Sequence, residues 1–228
     1  MSKHPVVLIL GAGPNVGQHV SRAFAARGYK VALASRSVKN KDSPSDQVNL
    51  QVDLSNPSSI PELFAQVKDQ LGLPSVVVYN AGAATPNEPN NSFSLSLADF
   101  VKDLNINTIS VFAAAQQAAL AFSQLPESAG KTFIYTGNVL NTNTIIAPLM
   151  SLGVGKSATA HMIQSAAAAY ASQGFKFYYA DERKEDGSAA YADINGEAHG
   201  KHYVELAEGK EQGPWQQTFV GGKGYTPF

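Results

Sequence analysis

Five apolar residues in a row, Val6-Val7-Leu8-Ile9-Leu10, run directly into the turn Gly11-Ala12-Gly13-Pro14-Asn15-Val16-Gly17. This stretch constrains the chain more than any other. The apolar run predicts a strand buried on both faces. After the turn, Val16, Val20, Ala23 and Phe24 recur at helical spacing, so the turn opens a helix. A strand, a glycine turn and a helix N-terminus together form an anion site. Backbone N–H groups and the positive helix end point outward, and glycine lets a diphosphate approach the main chain. The bland alternative is a plain strand-to-helix turn, which the residues downstream argue against.

Those residues repeat the strand–helix alternation. Gly28 is placed to end the first helix in the left-handed conformation. Strands are expected at Lys30 to Ala34, Val48 to Val52, Ser75 to Tyr79, Lys131 to Thr136 and Phe175 to Ala180. Between them lie a helix opened by Asn56-Pro57, with Asn56 as N-cap, a long helix from about Leu97 to Phe122, and an alanine-rich helix from about Met150 to Ser172. This order predicts an α/β fold: a three-layer, doubly wound parallel sheet of the Rossmann type in a single domain. Residues 1–180 form its dinucleotide-binding core. Residues 181–228 read as a C-terminal extension covering the substrate side. In that extension 181–187 is a charged loop, a short helix spans His199 to Ala207, and Thr218 to Val220 form a last short strand. In such sheets the ligand lies at the carboxyl ends of the strands, near the point where strand order reverses.

Composition excludes several function classes. The chain has 228 residues with a net charge of −1, which supplies no field for nucleic acid or an anionic membrane. It has no cysteine, hence no disulfide, no thiolate metal site and no cysteine nucleophile. No metal is expected. No run is long enough to span a bilayer, and Met1 to Pro5 carry no signal-peptide core, so a cytoplasmic protein is expected.

The end of the second strand bears on the ligand. An acidic residue about 20 positions after the glycines would hold the adenosine ribose hydroxyls. Here Ser35-Arg36 stand in that place, followed by Lys39 and Lys41, with no carboxylate between Gly28 and Asp42. A hydroxyl and a guanidinium suit a 2′-phosphate, so NADP(H) is favoured over NAD(H). A solvated basic loop is the competing reading.

Over Val6 to Ala180 the chain resembles the short-chain dehydrogenase/reductase family. Leu10 to Gly17 is similar to the family's Thr-Gly-x-x-x-Gly-x-Gly turn, with Gly11 and Gly17 kept and Asn15 at the middle glycine. Asp53-Leu54 matches the adenine-contacting pair, and Asn80-Ala81-Gly82 matches the motif after the fourth strand. Asn107 matches the active-site asparagine, and Lys156 the lysine that binds the nicotinamide ribose. The resemblance thus implies cofactor contacts at Gly11, Gly13, Asn15, Val16, Gly17, Ser35, Arg36, Asp53, Leu54, Asn80, Ala81, Gly82 and Lys156. It implies catalytic positions at Asn107, Asn138 and Lys156. Two of the family's catalytic groups are replaced: Leu152 stands where the proton-donating tyrosine belongs, and Asn138 where the serine belongs. Ala180-Asp181 stands where the family usually has Pro-Gly.

Leucine carries no proton, so another group must donate one if the chain is an oxidoreductase. Tyr135, Tyr178, Tyr179, Asp181 and His161 are the candidates. Three readings stay open: an NADP(H)-dependent oxidoreductase with an atypical site, a non-catalytic dinucleotide-binding protein such as a redox sensor, and an isomerase or epimerase. The expected partner is a small molecule. The runs Ala113-Ala114-Ala115, Ala118-Ala119 and Ala166 to Ala169 permit close helix approach. The resemblance implies that these two helices pair with their copies in a homodimer or homotetramer.

Overall fold

The structure is a computed structural model that describes residues 4–37, 44, 46–142 and 144–228. Lys39 and Lys41 lie outside the described residues. β1 (Val6–Leu10) is buried along its whole length, as its unbroken apolar run requires. It lies between β2 (Lys30–Ser35) and β4 (Val76–Tyr79), parallel to both. With β3 (Gln47–Gln51), β5 (Thr132–Thr136), β6 (Lys176–Arg183), β7 (Gln216–Val220) and β8 (Gly224–Tyr225), the order is β3-β2-β1-β4-β5-β6-β7-β8. All pairings are parallel except β7 with β8. Chain direction across the sheet reverses between β1 and β4, which opens a crevice at their carboxyl ends.

One face of the sheet is covered by α2 (Ile60–Gln70), α4 (Ser110–Ser123) and α5 (Met150–Ala169), the other by α1 (Val16–Ala26) and α6 (Gly196–Glu208). The long helix is continuous through α3 (Leu97–Leu104), but one π-helical turn, Asn105–Ile109, interrupts its pitch before α4. Such turns mark functional positions more often than chance, and Asn107 sits inside this one. Gly28 has φ +81, as its capping role requires. Asn56 does not cap with its side chain. Its Oδ1 instead accepts from the Ser58 hydroxyl at 2.7 Å.

The charged segment after residue 180 is not a loop up to Arg183. β6 carries on through Asp181, Glu182 and Arg183, which pair with Thr218, Phe219 and Val220 of β7 and are buried. The charges are tolerated because they are partnered: Arg183 Nε lies 2.6 Å from Asp181 Oδ2, and Glu182 Oε2 accepts from Asn195 N at 2.8 Å. A boundary at residue 180 therefore falls inside a strand. α6 lies against α1, and β7 widens the sheet, so these parts of 181–228 belong to the same core. The helix begins three residues earlier than its periodicity suggests, where Asn195 Oδ1 accepts from Ala198 N at 3.1 Å. Lys176, at the start of β6, ties the other end. Its Nζ donates to the carbonyls of Leu206 at 2.8 Å, of Ala207 at 2.9 Å and of Gly209. This satisfies carbonyls that a helix leaves unpaired. Burial pulls the Lys176 pKa down to about 8.

Candidate active site

The glycine turn is drawn tight against its neighbours. Gly11 takes φ +92, and its N–H donates to Ala34 O at 2.8 Å. Asn80 joins this turn to the next one: its N donates to Leu10 O at 2.7 Å and its Nδ2 to Gly11 O at 2.9 Å. A cavity of about 660 Å³ opens above them. It is lined by Gly11, Gly13, Ser35, Arg36, Asp53, Leu54, Asn80, Ala81 and Gly82, nine of the positions expected to contact a cofactor. Gln18, Gln47, Asn49 and Ile106 line it as well, without a sequence signal to mark them. The Asp53 carboxylate is held low in pKa mainly by hydrogen bonds from Ser55 N and Ser55 Oγ, at 2.9 and 2.8 Å.

Two expected contacts, Asn15 and Gly17, line neither this cavity nor the one beside it. Gly17 is a packing residue, since a Cβ there would lie 2.8 Å from Ala12 Cα and from Gly11 O. Asn15 points elsewhere: its Nδ2 donates to Ile194 O at 3.0 Å and so ties the α1 N-terminus to the tail. Val16 lines a second cavity instead.

That second cavity, of about 450 Å³, shares Asn80, Ala81 and Gly82 with the first. Asn138, Leu152, Lys156, Asp181 and Tyr191 line it, so one cleft runs along the carboxyl ends of the strands. Lys156 Nζ donates to Thr136 O at 2.8 Å and stands 4.4 Å above the Tyr135 ring. Burial pulls the Lys156 pKa down to about 7, with the Asp181 charge opposing. Burial likewise pushes Asp181 up to about 6, against Arg183. Asn107 sits behind the wall. Its Oδ1 accepts from Ala83 N at 2.9 Å and its Nδ2 donates to Ala83 O at 2.7 Å. Both ends of the amide are thus used to hold the segment after Gly82. Its main-chain carbonyl accepts from Thr159 Oγ1 at 2.7 Å. Gly155 leaves room for this contact, as a Cβ there would lie 2.5 Å from Asn107 Cβ.

Register decides the fate of the tyrosine candidates. Tyr79, Tyr135 and Tyr179 stand side by side on β4, β5 and β6, with ring centroids 6.0 and 5.5 Å apart. Each hydroxyl is taken: Tyr79 donates to Ile106 O at 2.6 Å, Tyr135 reaches Asn107 O at 3.4 Å, and Tyr179 donates to Asn138 O at 2.8 Å. Tyr179 also accepts from Asn138 N at 3.1 Å. Tyr178 lies on the opposite face, bonded to Gly213 N at 3.0 Å. His161 faces the groove between α4 and α5, away from the cleft. Asp181 alone of the five reaches the cavity wall. His199 also lines it, with Nδ1 2.9 Å from Asn195 O and 3.4 Å from Glu182 Oε2. Burial pulls His199 down to about 4 and raises Glu182, so the contact joins groups both driven toward neutrality.

A family profile described as enoyl-(acyl carrier protein) reductase matches residues 11–179. The chain is 49% identical to the short chain dehydrogenase/reductase dmxR12 of Cryptosporiopsis sp. (strain 8999), over 98% of this chain and 95% of that one. Its fold is similar to that of the NADH-dependent reductase A1-R′ responsible for alginate metabolism, with a TM-score of 0.81, 15% identity and coverage of 96% and 97%. It is also similar to a blue fluorescent protein from a metagenomic library in complex with NADPH, with a TM-score of 0.76, 21% identity and coverage of 96% and 97%. Matched over nearly its whole length, and carrying the cleft where the sheet reverses, this chain belongs to the short-chain dehydrogenase/reductase family.

Proposed function

We propose that the protein is an NADP(H)-dependent oxidoreductase acting on a small carbonyl or alcohol substrate. The observation that carries this reading is the single cleft running from the Gly11–Gly13 turn to Lys156 through Asn80, Ala81 and Gly82. The residues present fit a dinucleotide. A Cβ on Gly13 would meet nothing within 4 Å, so the space above the turn is open to a diphosphate. The first turn of α1 has N–H groups that a helix leaves without internal partners. Ser35 and exposed Arg36 face the cavity, and none of residues 30–37 carries a carboxylate. Asp53 and Leu54 would border the adenine, and Lys156 the nicotinamide ribose. A bound nicotinamide dinucleotide supplies or accepts a hydride in such a site. The chain's own part is to orient the carbonyl with Asn138, to exclude water with apolar walls such as Leu152, and to deliver a proton.

Calorimetric titration tests the cofactor assignment. Arg36 against a 2′-phosphate is worth about 1.5–3 kcal/mol, so NADPH should bind about ten- to a hundred-fold more tightly than NADH. Arg36→Ala should remove most of that preference. Equal affinity of the wild type for both cofactors would contradict it. Leu152 and Asn138 favour a second reading, a dinucleotide-binding protein without turnover. The presence or absence of hydride transfer separates the two.

We also propose a homodimer, or a tetramer built from it, through α4 and α5. Phe112 and Leu120 on this face are 56% and 54% exposed beside Ala115, Ala119 and Ala166. A second copy would cover them. Light scattering at micromolar concentration should read at least twice the chain mass, and a monomer would exclude the pairing. Nothing in the site or the net charge of −1 calls for nucleic acid or lipid. Among the described residues no helix is long and apolar enough to cross a membrane.

A further inference from the structure

We propose that Asp181 is the proton donor of this site, a carboxylic acid on β6 doing what the side chain at position 152 cannot. The proposal rests on the oxidoreductase reading above and adds the catalytic acid to it. Side chains alternate along β6, so Tyr179, Asp181 and Arg183 share the face that α5 covers. Asp181 is 2% exposed overall, yet it lines the cavity that holds Lys156 and Asn138. Its Oδ2 is fixed by Arg183 Nε at 2.6 Å. Among the described residues its Oδ1 has no hydrogen-bond partner, and the residue lines the cavity. One oxygen is thus held by Arg183 and the other is available to a ligand.

The other groups at this wall are committed or unsuited. The Tyr179 hydroxyl is bonded to Asn138, and that of Tyr203 to Thr136 Oγ1 at 2.8 Å. His199 donates its Nδ1 proton to Asn195 O and burial keeps the ring neutral, so its Nε2 holds no proton to give. Tyr191 is 60% exposed, at a rim open to water. The charged and titratable groups that interact with Asp181 through their charge are Lys156 from α5, Arg183, Glu182 and Tyr179 from its own strand, and Tyr203 from α6. Two cations therefore stabilise the carboxylate once the proton has left, while burial favours the acid before it leaves.

In reduction, a bound dihydronicotinamide would supply the hydride to the carbonyl carbon and be oxidised in turn. The π pair of the C=O bond moves onto oxygen, and that oxygen takes the proton from Asp181 Oδ1. The product is an alcohol. The Asp181 carboxylate regains its proton from the Lys156 ammonium or from water.

The test compares wild type, Asp181→Asn and Asp181→Glu with NADPH and a panel of aldehydes and ketones. Infrared titration of the protein without cofactor runs alongside. Wild type should reduce at least one carbonyl and should show a protonated carboxyl band that Asp181→Asn lacks. Asp181→Asn should lose about 10²- to 10⁴-fold in kcat, the usual contribution of a positioned acid. Its NADPH affinity should stay within about threefold, and Asp181→Glu should regain part of the rate. Should Asp181→Asn fail to fold with Arg183 unpaired, Asp181→Asn combined with Arg183→Gln removes the orphaned cation and should show the same loss. Full rate in the Asn variants overturns the proposal, as does loss of rate in Tyr191→Phe with Asp181→Asn unaffected. NADPH binding without reduction of any carbonyl overturns it too, while leaving dinucleotide binding intact. Absence of NADPH binding by wild type overturns the oxidoreductase reading and the proposal together.

Discussion

Replacing Gly11 with alanine is expected to destabilise the fold by about 2–5 kcal/mol and to abolish dinucleotide binding. The residue sits at φ +92, where a side chain costs about 1–2 kcal/mol. The added Cβ would also lie 2.5 Å from Ala81 N and 2.9 Å from Ala81 Cα. Both are backbone atoms, so no rotamer change relieves the contact, and overpacking of this kind costs typically about 1–3 kcal/mol. The turns would have to separate, stretching the 2.9 Å bond from Asn80 to Gly11 on which the shape of the cleft depends. Urea unfolding reads the first effect and NADPH titration the second. A variant within about 0.5 kcal/mol of wild type, in the range of ordinary surface substitutions, would show that the turn is looser than its contacts imply.

Mild acid is expected to weaken the fold through two buried histidines on α6. Burial pulls both His199 and His202 from 6.5 down to about 4. Above pH 6.5 folded and unfolded chains both hold them neutral. Between 6.5 and 4 the unfolded chain takes up protons that the fold refuses, so stability falls as the pH falls. Asp181, pushed from 3.8 up to about 6, acts in the opposite sense over its own range, because there the fold binds the extra proton. Glu182, also raised by burial, acts in the same sense as Asp181, and both effects cancel when wild type is compared with a variant that lacks only the His202 ring. His202 stacks on Phe219 with ring centroids 4.4 Å apart, so His202→Leu keeps an apolar contact and removes one titrating ring. At about 1.4 kcal/mol per pH unit, acting from pH 6.5 downward, wild type should lose about 1 kcal/mol more than His202→Leu between pH 7 and about 5.5. Urea unfolding at the two pH values measures this. Equal acid sensitivity would mean that His202 charges without cost in the fold.

The parts of the molecule legible in the sequence are those governed by local rules. Val6 to Leu10, the Gly11 turn and the helix after it are strand, turn and helix because unbroken apolar runs, glycine and 3.6-residue spacing each have one structural outcome. Positions at the ends of strands follow from strand order, which is why Ser35, Arg36, Asp53 and Asn80 meet around one cavity. What escaped depends on contacts across the fold. Asp181, Glu182 and Arg183 look like a solvated loop until β7 supplies ladder partners and Arg183, Asn195 and Asp181 satisfy the charges. The alignment of Tyr79, Tyr135 and Tyr179 is a property of register, and it is register that removes the tyrosines as free acids. Asn15 reads as a stand-in for a glycine at the ligand, yet its amide reaches Ile194, 179 residues away in sequence. Asn107 reads from the sequence as a residue of the long helix, but its π-helical turn and its bonds to Ala83 are tertiary facts.

If this cleft transfers a hydride, a label carried by the nicotinamide must appear in the product. The direct measurement uses NADPH deuterated at either face of nicotinamide C4 and mass spectrometry of the alcohols formed from a carbonyl panel. One of the two labelled cofactors should deliver its deuterium to a product carbon. NADPH that binds in the cleft and passes deuterium to no carbonyl would contradict it.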